Sequence, residues 1–277
     1  MPQVTIITDL TSNDPYLGMA KSVLHRQLPG VHLIDLSTGE DNKDLISVVY
    51  ILKSSLGFFP EGSVHLIAVK NTSDRPLIKP EWASDPKRFL VCRYLSQWII
   101  TPDNGLLSLL GEGLEIFNVF YDDPKKGLFY LRDLFPYITA SLLQDQHPEN
   151  VGLKTQEFSR LTWPEPYVQG NVLKGQKIYQ DAFGNIITNI TKNVFEAACP
   201  KGHFEVVLPG AVINTLHTYY YDVPYGQPLL LFNSANYLEV SICGQSAADL
   251  LIPRSIATHR FFQILPCHIL AKEGQLL

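Results

Sequence analysis

Asp181, Phe183 and Asn185 crowd into the stretch YQDAFGNIITNI, residues 179–190, and set a carboxylate, an aromatic face and an amide within one short turn. Gly184-Asn185 suits a turn at positive φ between two apolar runs. A hairpin alone would need neither the Asp nor the Phe. Together the three residues suit a flat, hydrogen-bonding ligand such as a purine, with one side chain stacking and another reading the ring edge. A second group sits in TDLTSNDPYLG. Asp9 closes the first strand pattern, where ligands of open α/β sheets bind, and its carboxylate can accept both hydroxyls of a ribose. Asp14 lies at a helix start, with Pro15 next to it, so it reads either as a cap or as a ligand contact. Ser234, in LFNSANYLEVS, is either a turn residue or a hydrogen-bonding group. In FYLRDLFP, Asp133 reads as a capping or helix-dipole residue, and Arg132 as an anion binder or a carboxylate partner. The eight histidines show no metal-ligand spacing, and there is no GxSxG, P-loop or GxGxxG.

The elements that must position these groups fall into two blocks. Residues 1–150 alternate strand and helix patterns (QVTIITD, VHLIDLS, VHLIAVK, FLVCRYL and SQWIITP among the strands), which predicts an α/β domain with a largely parallel sheet. Residues 151–170 are proline-rich and aperiodic, and read as a linker. Residues 171–277 are mostly strand with Gly, Pro and Asn turns, which predicts a smaller all-β barrel domain. A net charge of -5 argues against nucleic acid as a partner. No apolar run spans a membrane, and the N-terminus shows no basic leader. Cys92, Cys199, Cys243 and Cys267 are far apart and read as free thiols of a cytoplasmic protein.

Taken in order, TDLTSNDPYLG, FFPEGSVHLIAV, PDNGLLSLL, FYLRDLFP, DAFGNIITNI and NSANYLEVS resemble the S-adenosyl-L-methionine (SAM) hydroxide adenosyltransferases, the family that also includes the fluorinating and chlorinating enzymes. The resemblance implies a homotrimer, with SAM between one subunit's N-terminal domain and a neighbour's C-terminal domain. It implies no metal and no cofactor, and a displacement at the ribose C5′ with methionine leaving. It also implies that Asp9 holds the ribose hydroxyls, that Asp14 and Asp181 lie near the methionine ammonium, that Phe183 and Asn185 contact adenine, and that Ser234 sits near the amino acid or the base.

The chain departs from the family in the reacting half. Where water-using members carry a Val-Asp-Pro-Gly-Val-Gly loop with a following Arg, this chain reads VKNTSDRPL, with Lys70 at the acid's position and Arg75 matching the Arg. The family's Phe-His-Gly-Arg-Asp is FYLRD, with Tyr130 at the His position, and Leu128 and Leu131 replace the small polar neighbours of the halogenating members. Lys43 stands where the family has an aromatic near the sulfonium. Three readings follow: a SAM hydrolase with a rebuilt nucleophile site using Asp74, Arg75 and Tyr130; a silent adenosine or SAM binder; or a binder of an anionic adenosine derivative held by the lysines.

Overall fold

The computed structural model describes residues 3–41, 44–69, 88–121, 129–145, 147–200, 202–208 and 211–251, and the backbone of 267–271. The chain divides into two compact units, Met1–Trp163 and Pro164–Leu277.

The first unit is built on strands β1 (Val4–Thr8), β2 (Leu33–Thr38), β3 (Val64–Ala68), β4 (Phe89–Tyr94), β5 (Gln97–Pro102), β6 (Glu115–Val119) and β7 (Gly152–Lys154), in the sheet order β2-β1-β3-β5-β4-β6-β7. Its helices are α1 (Pro15–Gln27), α2 (Leu45–Ser55), α3 (Tyr130–Asp133) and α4 (Phe135–Asp145). β1 and β3 are buried along their whole length, because both faces of the sheet are covered. On one face Ile6, Leu66 and Ile100 pack with Leu17 and Leu24 of α1 and Ile138 and Leu142 of α4. On the other, Ile7, Ile67 and Ile99 pack with Val48 and Leu52 of α2. Each such side chain contributes about 1.5–3 kcal/mol relative to leaving it exposed.

The α/β architecture is as the sequence predicts, and the sheet is mixed. β1 pairs parallel with β2 and β3, and β3 with β5. β4 runs antiparallel to β5 and β6, and β6 to β7. The direction reverses at a two-residue turn, Leu95-Ser96, whose φ values of 49° and 60° lie in the left-handed region, the conformation in which a two-residue loop matches the right-handed twist of the strands it joins. Polar groups also enter this core. Gln97 Nε2 donates to the Leu56 and Phe59 carbonyls, which aims its Oε1 at His65 Nε2, 2.6 Å away. His65 therefore carries its proton on Nε2 and accepts at Nδ1 from the Thr5 hydroxyl at 2.8 Å. Burial lowers the pKa of this imidazole, and the bond to Gln97 opposes that shift only in part.

The second unit contains β8 (Tyr167–Gln169), β9 (Val172–Gly175), β10 (Lys177–Gln180), β11 (Ile186–Thr191), α5 (Lys192–Ala198), β12 (Phe204–Leu208), β13 (Ala211–Ile213), β14 (Pro228–Phe232), β15 (Tyr237–Ile242), α6 (Ala247–Leu251) and β16 (Cys267–Ala271). They form a four-stranded sheet, β10-β11-β15-β14, and a five-stranded one, β13-β12-β16-β9-β8. Both contribute to one core, in which Leu173 and Val206 meet Ile186, Leu230, Leu238 and Val240. Strand alternation then sends Leu229, Leu231 and Cys243 to the outer face of the four-stranded sheet, where Val223 packs on them. Glu239 and Ser241 belong to that outer face too, opposite Leu231 and Leu229. Cys92, Cys199 and Cys243 are buried free thiols. Among the described residues, no helix is long and apolar enough to cross a membrane.

Candidate functional site

In the first unit, Asp9 follows directly on β1, at the carboxyl end of the parallel strands. Its backbone N–H donates to the Ala68 carbonyl at the end of β3, at 3.3 Å. Thr8 fixes the same corner, donating from Oγ1 to Ala68 O at 3.0 Å and accepting from Leu10 N at 3.1 Å. Tyr130 opens α3 within the electrostatic reach of Asp9. Its ring packs between Phe89 and Phe135, at centroid distances of 5.1 and 4.9 Å. Burial first, and the Asp9 carboxylate second, push the ionisation of its phenol far above the ordinary tyrosine range. Tyr130 is thus a neutral hydroxyl at physiological pH, able to orient a neighbour but not to serve as a base.

Asp14 occupies the N-cap position of α1, with Pro15 following, yet its side chain caps no backbone N–H. Its Oδ2 accepts instead from the Thr11 hydroxyl at 2.8 Å, and the residue is exposed. Arg132 grips Asp133 through two bonds of 2.6 and 2.7 Å and lies over the Phe129 ring, so the pair partner sits next to it in sequence. Leu131 is buried in the core. In the PDNG turn, Asn104 ties the end of β3 to the following 3-10 turn, donating to Val69 O and accepting from Leu106 N. Lys43, Lys70, Asp74, Arg75 and Leu128 lie outside the described residues.

In the second unit the DAFGN corner joins β10 to β11. Asp181 closes it: Oδ1 accepts from the backbone N–H of Phe183 at 3.0 Å and of Asn185 at 2.8 Å, and Oδ2 from Asn185 Nδ2 at 2.8 Å. The hairpin therefore does need the aspartate, contrary to the sequence reading, because three donors would otherwise lack an acceptor. It does not need the phenylalanine. Phe183 is 81% exposed, while Asn185 is buried with its amide oriented by Asp181. Ser234 sits at an exposed position in the turn between β14 and β15. Asn233 Oδ1 holds that turn, accepting from Ala235 N and Tyr237 N.

The sequence reading overlooked Glu239. It is 3% exposed in β15 and feels the charge of Asp181. A lone carboxylate flanked by Leu238 and Val240, in a strand otherwise apolar or small, was the available signal. Burial raises its pKa most; the hydroxyls of Ser241 and Tyr220 oppose that, and Asp181 adds to the rise.

Comparison with known proteins accounts for both halves. Residues 175–254 match the SAM hydroxide adenosyltransferase C-terminal domain. The chain is 27% identical over 266 residues to an (R)-S-adenosyl-L-methionine hydrolase from Thermus thermophilus, covering 91% of this chain and 96% of that protein. It is 25% identical over 287 residues to a fluorinase from an Actinoplanes species, covering 92% and 94% of the two chains. The crystal structure of an uncharacterized conserved protein from Thermotoga maritima shares the fold, with a TM-score of 0.76 at 22% identity, covering 96% of this chain and 98% of that one. Since residues 4–152, more than half of the chain, also match the SAM hydroxide adenosyltransferase N-terminal domain, the protein belongs to the SAM hydroxide adenosyltransferase family.

Proposed function

We propose that the protein binds SAM and cleaves it with water to adenosine and methionine. The observation that carries this reading is Asp9 at the strand ends beside the neutral, buried Tyr130, in a chain that matches both domains of the family. In the reaction a water oxygen bonds to C5′ while the C5′–S bond breaks. The bond pair goes to sulfur, methionine departs as a neutral thioether, and one proton is released. A cationic sulfur is already a good leaving group, so no general acid is required. The protein's task is to hold water in line with the C5′–S bond and to exclude competing geometries.

In this proposal Asp9 accepts the ribose hydroxyls as a charged acceptor. Tyr130, locked by its aromatic neighbours, orients the water, and Asp74 and Arg75 complete the water site. Asp14 and Asp181 face the ammonium of the methionine moiety, with Ser234 nearby. Phe183 stacks on adenine, and the oriented Asn185 offers its carbonyl oxygen to the adenine amino group. The ligand is shared between copies of the chain in a homotrimer. The experiment is calorimetry with SAM and with adenosine, followed by separation of products after incubation with SAM. Equal amounts of adenosine and methionine are expected. Binding without products would remove the hydrolysis and keep the binder; no binding of either ligand would overturn the reading entirely.

A further inference from the structure

On the outer face of the four-stranded sheet, the partners of Glu239 among the described residues are hydrogen-bond donors rather than a counter-charge. Its Oε1 accepts from the Tyr220 hydroxyl at 2.9 Å and from the Ser241 hydroxyl at 2.8 Å. Asn233 adds a side-chain bond, and since its Oδ1 is taken by two backbone N–H groups, the donor is Nδ2. The neighbours on the adjoining strands are apolar: Ile187 on β11 and Leu231 on β14 stand opposite it. The charged group that faces it is Asp181, from the β10–β11 corner. Among the described residues, no lysine or arginine forms an ion pair with either carboxylate.

A buried carboxylate that pairs with no lysine or arginine among the described residues is costly for the isolated unit, and hydrophobic replacement would often be neutral or better for stability. Its position gives it another use. Tyr220 belongs to a loop anchored by Asp222, which accepts from Thr218 N and Tyr219 N at 2.9 Å each. Asn233 governs the turn that presents Ser234. One carboxylate therefore binds two chain segments, the Tyr220 loop and the β14–β15 turn, from a position that the Asp181 charge reaches.

We infer that Glu239 is a positioning residue of the adenosyl site, holding the Tyr220 loop and the Asn233–Asn236 turn in place within reach of the Asp181 charge and, by its own charge, favouring a ligand with a cationic amino-acid end over adenosine alone. This deepens the proposed function and rests on it. Glu239 makes no bond to the ligand in this account; it acts through Asn233, Tyr220 and the potential at Asp181. Its raised pKa adds a consequence: acidification neutralises Glu239 before an ordinary glutamate, and the preference for the cationic ligand weakens in step.

The test is calorimetry of SAM and adenosine with the wild type, Glu239→Gln and Tyr220→Phe, at pH 7.5 and at pH 4.5, where an ordinary glutamate is half protonated and Glu239 more than half. Glu239→Gln is expected to weaken SAM about tenfold and adenosine less than about threefold, the loss of one charge-dependent interaction. Tyr220→Phe keeps the charge and is expected to weaken both ligands by a similar, smaller factor. In the wild type the ratio of SAM to adenosine affinity falls between the two pH values; in Glu239→Gln it changes less. Equal losses for both ligands in Glu239→Gln, or no loss, would overturn the inference. If that variant fails to fold, a wild-type ratio that does not move with pH overturns it alone. Failure of the wild type to bind either ligand overturns the proposed function instead, and is read before any variant.

Discussion

Asp181 and Phe183 stand two residues apart and illustrate opposite relations between stability and use. Asp181 satisfies three N–H donors of its own corner, so its removal injures the fold and any ligand together. Phe183 leaves most of its ring in water, where an aromatic gains little from the fold. The two effects therefore separate cleanly at Phe183. Phe183→Ala is expected to leave the unfolding midpoint within about 0.5 kcal/mol of wild type, as for an exposed site. It is expected to weaken adenosine by ~1–3 kcal/mol, the usual worth of a base stacked on an aromatic ring. Calorimetry beside thermal unfolding checks both halves. Unchanged affinity would remove the stacking role. Glu239 shows the limit of reading at this scale: the strand pattern places it in YLEVS, but only the loop folded over that face turns it into a buried acceptor.

The hairpin that carries these residues depends on Gly184. Its φ of +81° lies in the left-handed region, and a Cβ there would stand 2.1 Å from Ser246 Oγ and 2.9 Å from Ser246 Cα. The Gly184 carbonyl accepts from Ala248 N, so the corner is stitched to the start of α6. Gly184→Ala is expected to cost ~1–3 kcal/mol through the backbone conformation, with more from the close approach. The measurement is urea unfolding followed by far-ultraviolet circular dichroism. Adding Ser246→Gly should recover only part of the loss, since it opens space without relieving φ. This turn was legible in the sequence because Gly-Asn announces it. The Leu95-Ser96 turn was not: neither residue is a usual occupant of positive φ, so nothing marked the reversal that makes half the sheet antiparallel. Asp9 was legible for the opposite reason, since a carboxylate ending an apolar strand has a place fixed by the strand itself. The Asp9–Tyr130 neighbourhood was not, because 121 positions separate the two residues and only the folded sheet and α3 bring them near.

At the scale of the whole molecule, the two units carry buried titratable groups of opposite sign of effect. His65 lies in the first unit with a lowered pKa, and Glu239 in the second with a raised one. Below pH 6.5 the unfolded chain protonates the histidine while the folded unit resists, so the unfolded state holds more protons and the first unit loses stability as pH falls. For Glu239 the folded unit holds a proton at pH values where an ordinary glutamate has lost it, so the second unit gains stability as pH falls towards the glutamate range. A probe that averaged the units would see these contributions cancel in part. The sequence supplies one that does not: Trp82, Trp98 and Trp163 all belong to the first unit. Urea unfolding followed by tryptophan fluorescence is therefore expected to show the first unit weakening between pH 7.5 and 5.5. The bound is about 1.4 kcal/mol for a histidine that stays neutral in the folded state. Glu239→Gln should leave that fluorescence-detected loss unchanged. The His65 ring proton resonance should titrate with a midpoint below pH 6.5, where an ordinary histidine is half titrated. A fluorescence midpoint flat across this range, or a His65 resonance with its midpoint at or above pH 6.5, would show that the Thr5–His65–Gln97 chain accepts the proton without strain, and that burial does not disfavour the imidazolium.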